Sequence, residues 1–301
     1  MKENIETESI EGILEDTPFS DYKIEEIDEG VSTNVFKLVN VEPYYLKILS
    51  NNHSLPPILL ANKLLLQNDI NVPEIVYFKE DNRDFYIEKE IKGESVKNDP
   101  TLSKEQIEKI IIEAGKDLAK MNSISVEGVG WIEGVKDNKL YSHEKDYNDY
   151  ILKNIKSMLN DLSNINVLSN NQIEEIERHI LNHQILLDTE NTSYLAHGDF
   201  CVEHIYHLNG NYSGIIDFGD IRGTSRYHDL AHFYTYNRKY LESLIKGYNS
   251  IHKLPSDYMD RIMVEALVFG VSKLWWISKN MPNKLNNHPA LELFDEIVYG
   301  K

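Results

Sequence analysis

Two short polar runs carry the residues with the most chemical potential. The first is His197-Gly198-Asp199-Phe200, with Cys201, Glu203 and His204 behind it. The second is Asp217-Phe218-Gly219-Asp220, after the apolar Gly214-Ile215-Ile216. Aspartates at the ends of short apolar strands beside glycines are poor core residues, because an unpaired buried charge is costly. Either one alone reads as a turn residue. Asp199 and Asp217 together, with an Asn209-Gly210-Asn211 hairpin turn between them, bring two carboxylates and an imidazole to one edge. Phosphoryl transfer uses such a set. One carboxylate orients an attacking hydroxyl, a second holds a divalent ion against nucleotide phosphates, and a further ligand completes the metal shell.

The elements that must position these runs follow from periodicity. Strand-like segments lie at 22–24, 33–39, 43–49, 75–79 and 85–91, and the turn cluster at 81–84 makes the last two a hairpin. Pro56 and Pro57 open one inserted helix over 56–68. After Gly93 the chain reads as mostly helical. Ser103 and Gln106 form a capping box before Ile107, Ile110, Ile111, Ala114 and Leu118. Further helical patterns lie at 150–159, 173–187, 227–249, 256–279 and 288–299, with a β-like island at 193–197, 202–207 and 213–217. The expected organisation is an α+β fold of two lobes, 1–92 and 93–301, with a hinge at Gly93.

HGDFCVEH followed by IIDFGD resembles the paired motifs of the aminoglycoside phosphotransferase family. Lys47 in YYLKIL, Glu90-Ile91-Lys92-Gly93 and Asp229-Leu230-Ala231 resemble further pieces of that family, in order, over about 30–232. The resemblance implies a protein-kinase-like fold, with a small antiparallel nucleotide-binding lobe and a larger helical lobe. It implies transfer of the γ-phosphoryl group of ATP or GTP to an aminoglycoside hydroxyl. Asp199 would be the base, and Asp217 and His204 would hold Mg2+. Lys47 would pair with phosphates, and the backbone of Glu90 and Ile91 would meet the purine edge. A turn with Gly30, Ser32 and Asn34 would lie over the phosphates. His204 stands where most of the family has Asn, and in this respect the motif is closest to the branch acting on the 2″-hydroxyl.

Between Ser50 and Asn68 there is no Asp or Glu to orient Lys47 from the following helix, and Asn62 is a neutral candidate. That gap points to an alternative, a nucleotide-binding pseudokinase without turnover. Another small cationic alcohol or antibiotic is an alternative acceptor. His228 and His232 have the i, i+4 spacing of a zinc pair, so a hydrolase on His197, Asp199, His228 and His232 is a third class. More simply, Asp229 braces the catalytic loop and the two histidines pack.

The chain has 301 residues, with 31 Lys and Arg against 49 Asp and Glu, a net charge of −18. This argues against nucleic acid or an anionic membrane as partner and suits a small polycation. Half of that charge lies in the first thirty residues, where two lysines face eleven carboxylates, as on a solvated face. Asp220, Glu292, Asp295 and Glu296 are the candidate substrate carboxylates, with Glu265, Trp275 and Trp276 behind them. Cys201 is the only cysteine, which excludes an internal disulfide and reads as buried filler. No signal peptide or membrane span is visible, so a cytoplasmic monomer is expected.

Overall fold

The structure, a computed structural model, describes residues 7–27, 34–49, 54–80, 83–183, 186 and 193–299. The β-rich N-terminal runs form β1 (Lys23–Glu26), β2 (Asn34–Val39), β3 (Tyr44–Ile48), β4 (Ile75–Lys79) and β5 (Phe85–Lys89). They make one antiparallel sheet in the order β1-β2-β3-β5-β4. Alternation buries Phe36, Leu38, Leu46, Ile48, Phe85 and Ile87 in one cluster, with Ile10 and Leu14 of helix α1 (Thr7–Leu14) added to it. The β3–β5 register sets Lys47 opposite Tyr86 and Tyr45 opposite Glu88. Asp81 and Asn82 of the expected turn lie outside the described residues, as do Gly30 and Ser32.

Helix α2 (Leu55–Gln67) starts on Pro56 and Pro57, which supply a preset φ where an N–H has no helical partner. Its Ala61 and Leu65 belong to the core of the larger lobe, and it packs on the hairpin of β8 (Val129–Lys136) and β9 (Lys139–Glu144). That hairpin corrects the helical expectation after Gly93. Asp137 and Asn138 both adopt left-handed φ, 50° and 58°, which makes a tight turn between alternating segments. A five-stranded sheet results, in the order β7 (Ser125–Val126), β10 (Ser193–Ala196), β13 (Arg222–Thr224), β8, β9.

A third sheet carries the hinge. Strand β6 (Glu94–Ser95) pairs with β11 (Ile205–Leu208), which pairs with β12 (Asn211–Ile215) through the expected Asn209-Gly210 turn. Helices α3 (Lys104–Met121), α4 (Tyr147–Asn164), α5 (Asn170–Asn182), α6 (His228–Asn237), α7 (Leu241–Ile251), α8 (Tyr258–Asn280) and α9 (Pro289–Tyr299) fill the rest. The Ser103–Gln106 capping box opens α3 as expected. Among the described residues, no helix is long and apolar enough to cross a membrane.

Gly93 has φ +108°, and a Cβ there would lie 1.9 Å from the His207 carbonyl oxygen. Gly93→Ala is therefore expected to lower stability by about 1–3 kcal/mol, read as a fall in melting temperature. An unchanged melting curve would contradict this account of the hinge.

Candidate active site

The loop after β10 is shaped by one buried acid. Asp229, in the first turn of α6, is fully buried and accepts the N–H groups of His197 and Gly198, each at 2.9 Å. Gly198 has φ +84°, and a Cβ there would lie 2.0 Å from the Asp220 carbonyl oxygen. Asp229 thus braces the loop, as expected. His197 is also fully buried. Its Nδ1 accepts the Asp199 N–H at 3.3 Å, so the proton sits on Nε2, which donates to the Ile216 carbonyl at 2.9 Å. Burial, with the neighbouring His204, holds its pKa below the ordinary value and keeps the ring neutral. The Ile216 N–H donates in turn to the His204 carbonyl at 3.0 Å. The two polar runs are therefore tied backbone to side chain and backbone to backbone.

With both its nitrogens engaged, His197 cannot ligate zinc. The four-residue zinc centre is not assembled. His228 packs edge-on against Phe269, and burial pushes its pKa well down.

Asp217 is exposed and has φ +67°. His204 Nδ1 lies 2.8 Å from the Asp199 carbonyl oxygen, to which it donates, and Nε2 lies 3.7 Å from Asp217 Oδ2. A neutral ring of this tautomer aims a lone pair at the Asp217 carboxylate, which is a donor set for a divalent cation. Burial opposes a charge on His204. The Cys201 thiol, 3.7 Å from Nδ1, and the carboxylates of Asp217 and Asp199 outweigh it and raise the pKa to about 9. A proton and a cation thus compete for Nε2.

Glu94, Asp99 and His207 form a second acidic group at the hinge, with ligand atoms within 4.8 Å of one another. There Nδ1 of His207 accepts the Gly210 N–H at 3.3 Å, so Nε2, 3.6 Å from Asp99 Oδ2, carries the proton. That nitrogen makes no hydrogen bond and, carrying the hydrogen, has no lone pair to offer a cation.

Lys47 Nζ lies 2.8 Å from Glu88 Oε1, with the two side chains 13% and 10% exposed. The missing helix carboxylate is supplied by the neighbouring strand. Asn62 does not substitute for it. Its amide donates to the Pro73 carbonyl at 2.7 Å and accepts the Ile75 N–H at 3.1 Å. Burial opposes the Lys47 charge, but Glu88, Tyr86 and Asp217 raise its pKa above that of an ordinary lysine. Asp217 therefore lies within electrostatic reach of Lys47 across the lobes. Strand alternation could have signalled Glu88, since it shares a face with Tyr86, the direct partner of Lys47.

The Glu90 side chain is held by Lys37 at 2.6 Å and Tyr45 at 3.2 Å, and its N–H reaches the Pro43 carbonyl at 3.4 Å. Among the described residues, the Glu90 carbonyl and the Ile91 N–H have no backbone partner. Asn34 begins β2 opposite Ile48.

Asp199 has an environment that the sequence did not reveal. His232 Nε2 lies 2.8 Å from its Oδ1, and His204 Nδ1 lies 3.9 Å from its Oδ2. Burial works against the charge, but His232, His204 and Lys273 hold the carboxyl well below the usual carboxylate range. Near it, Tyr236 Oη lies 2.7 Å from His288 Nε2.

The candidate substrate acids are not gathered at Asp199. Asp220 is half-buried, and its carbonyl accepts from Arg222 Nε at 3.2 Å. Glu292 is exposed on α9, Asp295 accepts from Gln172 at 2.9 Å, and Glu296 pairs with Arg238. Among the described contacts, none of these three touches Asp199, His204 or Asp217. Trp275 donates to Asp161 at 2.8 Å, and Glu265 is buried beside Tyr147, so both serve the core. Trp276 stays partly exposed, with Lys273 over its ring.

The model of the phosphotransferase enzyme family matches residues 23–258. No match is found among the curated proteins. Among solved structures, a thermostable mutant of aminoglycoside phosphotransferase APH(4)-Ia superposes with a TM-score of 0.69 at 14% identity, over 96% of this chain and 97% of that one. The GDP complex of aminoglycoside 2'-phosphotransferase-IIIa gives 0.70 at 14% identity, over 96% of each chain. ADP-bound APH(2'')-Ib gives 0.65 at 18% identity, over 98% and 99%. These structures share the two-lobed, kinase-like α+β fold, and they do not single out the 2″ branch.

Two outcomes are expected. Glu88→Gln leaves Lys47 without its anion and should weaken nucleotide binding about tenfold by titration calorimetry, whereas unchanged affinity would reject the pair's role. The second concerns acid. Burial, with Lys273 and His232 nearby, lowers the His288 pKa from 6.5 to about 4. The unfolded chain then binds more protons than the folded one, so stability falls as pH drops from 6.5 to 4. His288→Gln should flatten the dependence of melting temperature on pH in that window, and an equally steep curve would refute the assignment.

Proposed function

The chain belongs to the phosphotransferase enzyme family, and from that premise we propose that it moves the γ-phosphoryl group of ATP or GTP to a hydroxyl of an aminoglycoside. The observation that carries the reading is the meeting of Asp199, His204 and Asp217, with contacts of 3.9 Å and 3.7 Å about one imidazole. Asp199 orients the acceptor hydroxyl. Its depressed pKa makes it a weak base, which suits a loose transition state in which the proton leaves late. Asp217 and His204 would hold Mg2+, which when bound neutralises phosphate charge. Lys47, fixed by Glu88, pairs with the nucleotide phosphates. The Glu90 carbonyl and Ile91 N–H meet the purine edge, and Asn34, at the start of β2, lies toward the phosphates. Gly93 divides a nucleotide lobe, 1–92, from a catalytic lobe, 93–301.

Support for the acceptor comes from relatives and charge. Solved complexes of similar fold contain hygromycin B with APH(4)-Ia and gentamicin with APH(2")-IIa. The net charge of −18 concentrates polycations at low salt. A second reading, a less cationic small alcohol, is favoured by Lys273 near Asp199 and by Arg238, which neutralises Glu296. Nucleotide binding without turnover loses its main motive, because Lys47 has an anionic partner.

The test is incubation with magnesium, ATP or GTP, and kanamycin-, gentamicin- and hygromycin-type compounds alongside small amino alcohols. A phosphate mass shift on an aminoglycoside is expected, and Asp199→Asn should reduce it about 10³-fold. Phosphate on an amino alcohol alone would replace the acceptor class. A rise in melting temperature with nucleotide but no product would replace the reading by one of binding only.

A further inference from the structure

Helix α6 fixes the catalytic loop twice. Asp229, in its first turn, holds the loop backbone at His197 and Gly198. His232, three residues on, lies on the same side of the helix and reaches the Asp199 side chain. We infer that His232 is a positioning residue that holds Asp199 in one orientation for the acceptor hydroxyl. This rests on the reading of Asp199 as the base.

The ring is 2% exposed and bounded by acceptors at both ends. Nδ1 lies 3.0 Å from the Phe200 carbonyl oxygen, and Nε2 lies 2.8 Å from Asp199 Oδ1. Nδ1–H donates to the Phe200 carbonyl, whereas Nε2 and Oδ1 meet as a close polar contact outside hydrogen-bond alignment. The Nδ1–H bond to Phe200 sets where the ring sits, and Nε2 then meets the carboxylate. The edge of Phe269 and the tilted ring of Tyr236, each with its centroid 4.7 Å away, fix the plane. The imidazole is thus wedged, and it commits Oδ1. Oδ2, 3.9 Å from His204 Nδ1, is left for the hydroxyl. A carboxylate free to rotate about its χ angles would present the wrong oxygen, or the right one at the wrong angle, for part of the time, and such misplacement costs turnover more than binding. His232 is also a residue of this chain's own pattern, His-Asp-Leu-Ala-His, whose zinc-like spacing has no zinc site to explain it.

The experiment separates positioning from packing. His232→Phe keeps a ring against Phe269 and Tyr236 but removes both nitrogens, and with them the bond to Phe200 and the contact with Asp199. His232→Gln keeps an amide donor near the Nε2 position. Nucleotide turnover is followed with magnesium, ATP or GTP, and gentamicin or hygromycin B present, water being the acceptor if neither reacts. His232→Phe should lower kcat about 10- to 100-fold with KM for nucleotide within about threefold. His232→Gln should restore most of the loss. In an Asp199→Asn background, His232→Phe should add little, because the group it positions is gone. Wild-type kcat in His232→Phe, or a loss that persists in full beside Asp199→Asn, would overturn the inference. Where His232→Phe does not fold, His232→Ala is assayed with and without free imidazole. Restored turnover supports positioning, and no restoration overturns it. Wild-type turnover in Asp199→Asn alone would instead overturn the reading of Asp199 as the base, a result distinguishable from failure at His232.

Discussion

A carboxylate with no access to water is tolerated only where its charge is met by donors. Asp229 is such a group, at 0% exposure, and its donors are the backbone N–H groups of His197 and Gly198, each at 2.9 Å, with the Asn122 amide at 3.5 Å. The dependence runs both ways. The loop turns through a left-handed Gly198, and its N–H groups point inward with no strand to receive them. Without Asp229 they would be buried and unpaired, at roughly 1–3 kcal/mol each. Without the loop, Asp229 would keep only the long Asn122 contact. The position of Asp199 therefore follows from an interaction two residues away that takes no part in chemistry.

From that anchor the geometry spreads through tautomers. His197 is neutral and accepts from the loop while donating to Ile216, so the loop and the strand before Asp217 move as one. His204 donates to the Asp199 carbonyl, which leaves its other nitrogen toward Asp217. Each ring is fixed by what its remote nitrogen touches, as in well-made metal sites. Asp217 itself holds a left-handed φ of 67°, which costs about 1–3 kcal/mol in a non-glycine residue and persists only where the surroundings determine it. The two ties from His197 and His204 to Ile216 are that determination.

How much of this could be read in advance depends on whether partners are near in sequence. The paired motifs, the capping box at Ser103 and the hairpin turn at Asn209-Gly210 were legible because each is contiguous. So was Asp229, which follows the second motif closely. Glu88 is legible only by alternation once strand register is known, since it pairs with Lys47 diagonally across β3 and β5 and not by spacing in the sequence. The β7–β9 region carried no assigned element, because β7 has only two residues and glycines at 128, 130 and 134 interrupt the apolar alternation. Net charge was a poor guide to the site. Half of it lies in the first thirty residues, while Lys273 and His232 face Asp199 and Arg238 covers Glu296. The roles assigned to Gly30 and Ser32 fall outside the described residues.

The partner of Lys47 also bears on control. In protein kinases the strand lysine is held by a glutamate on a helix, and displacement of that helix switches the lysine off. Here lysine and glutamate stand on adjacent strands of one sheet, joined by the β3–β5 ladder. The helix that follows the lysine strand carries no acid and turns its buried Ala61 and Leu65 to the larger lobe. Its movement cannot break the ion pair. Backbone movement would part the pair only by separating β3 from β5, which means unfolding the sheet. Lys47 is thus kept beside Glu88 by the sheet that carries both.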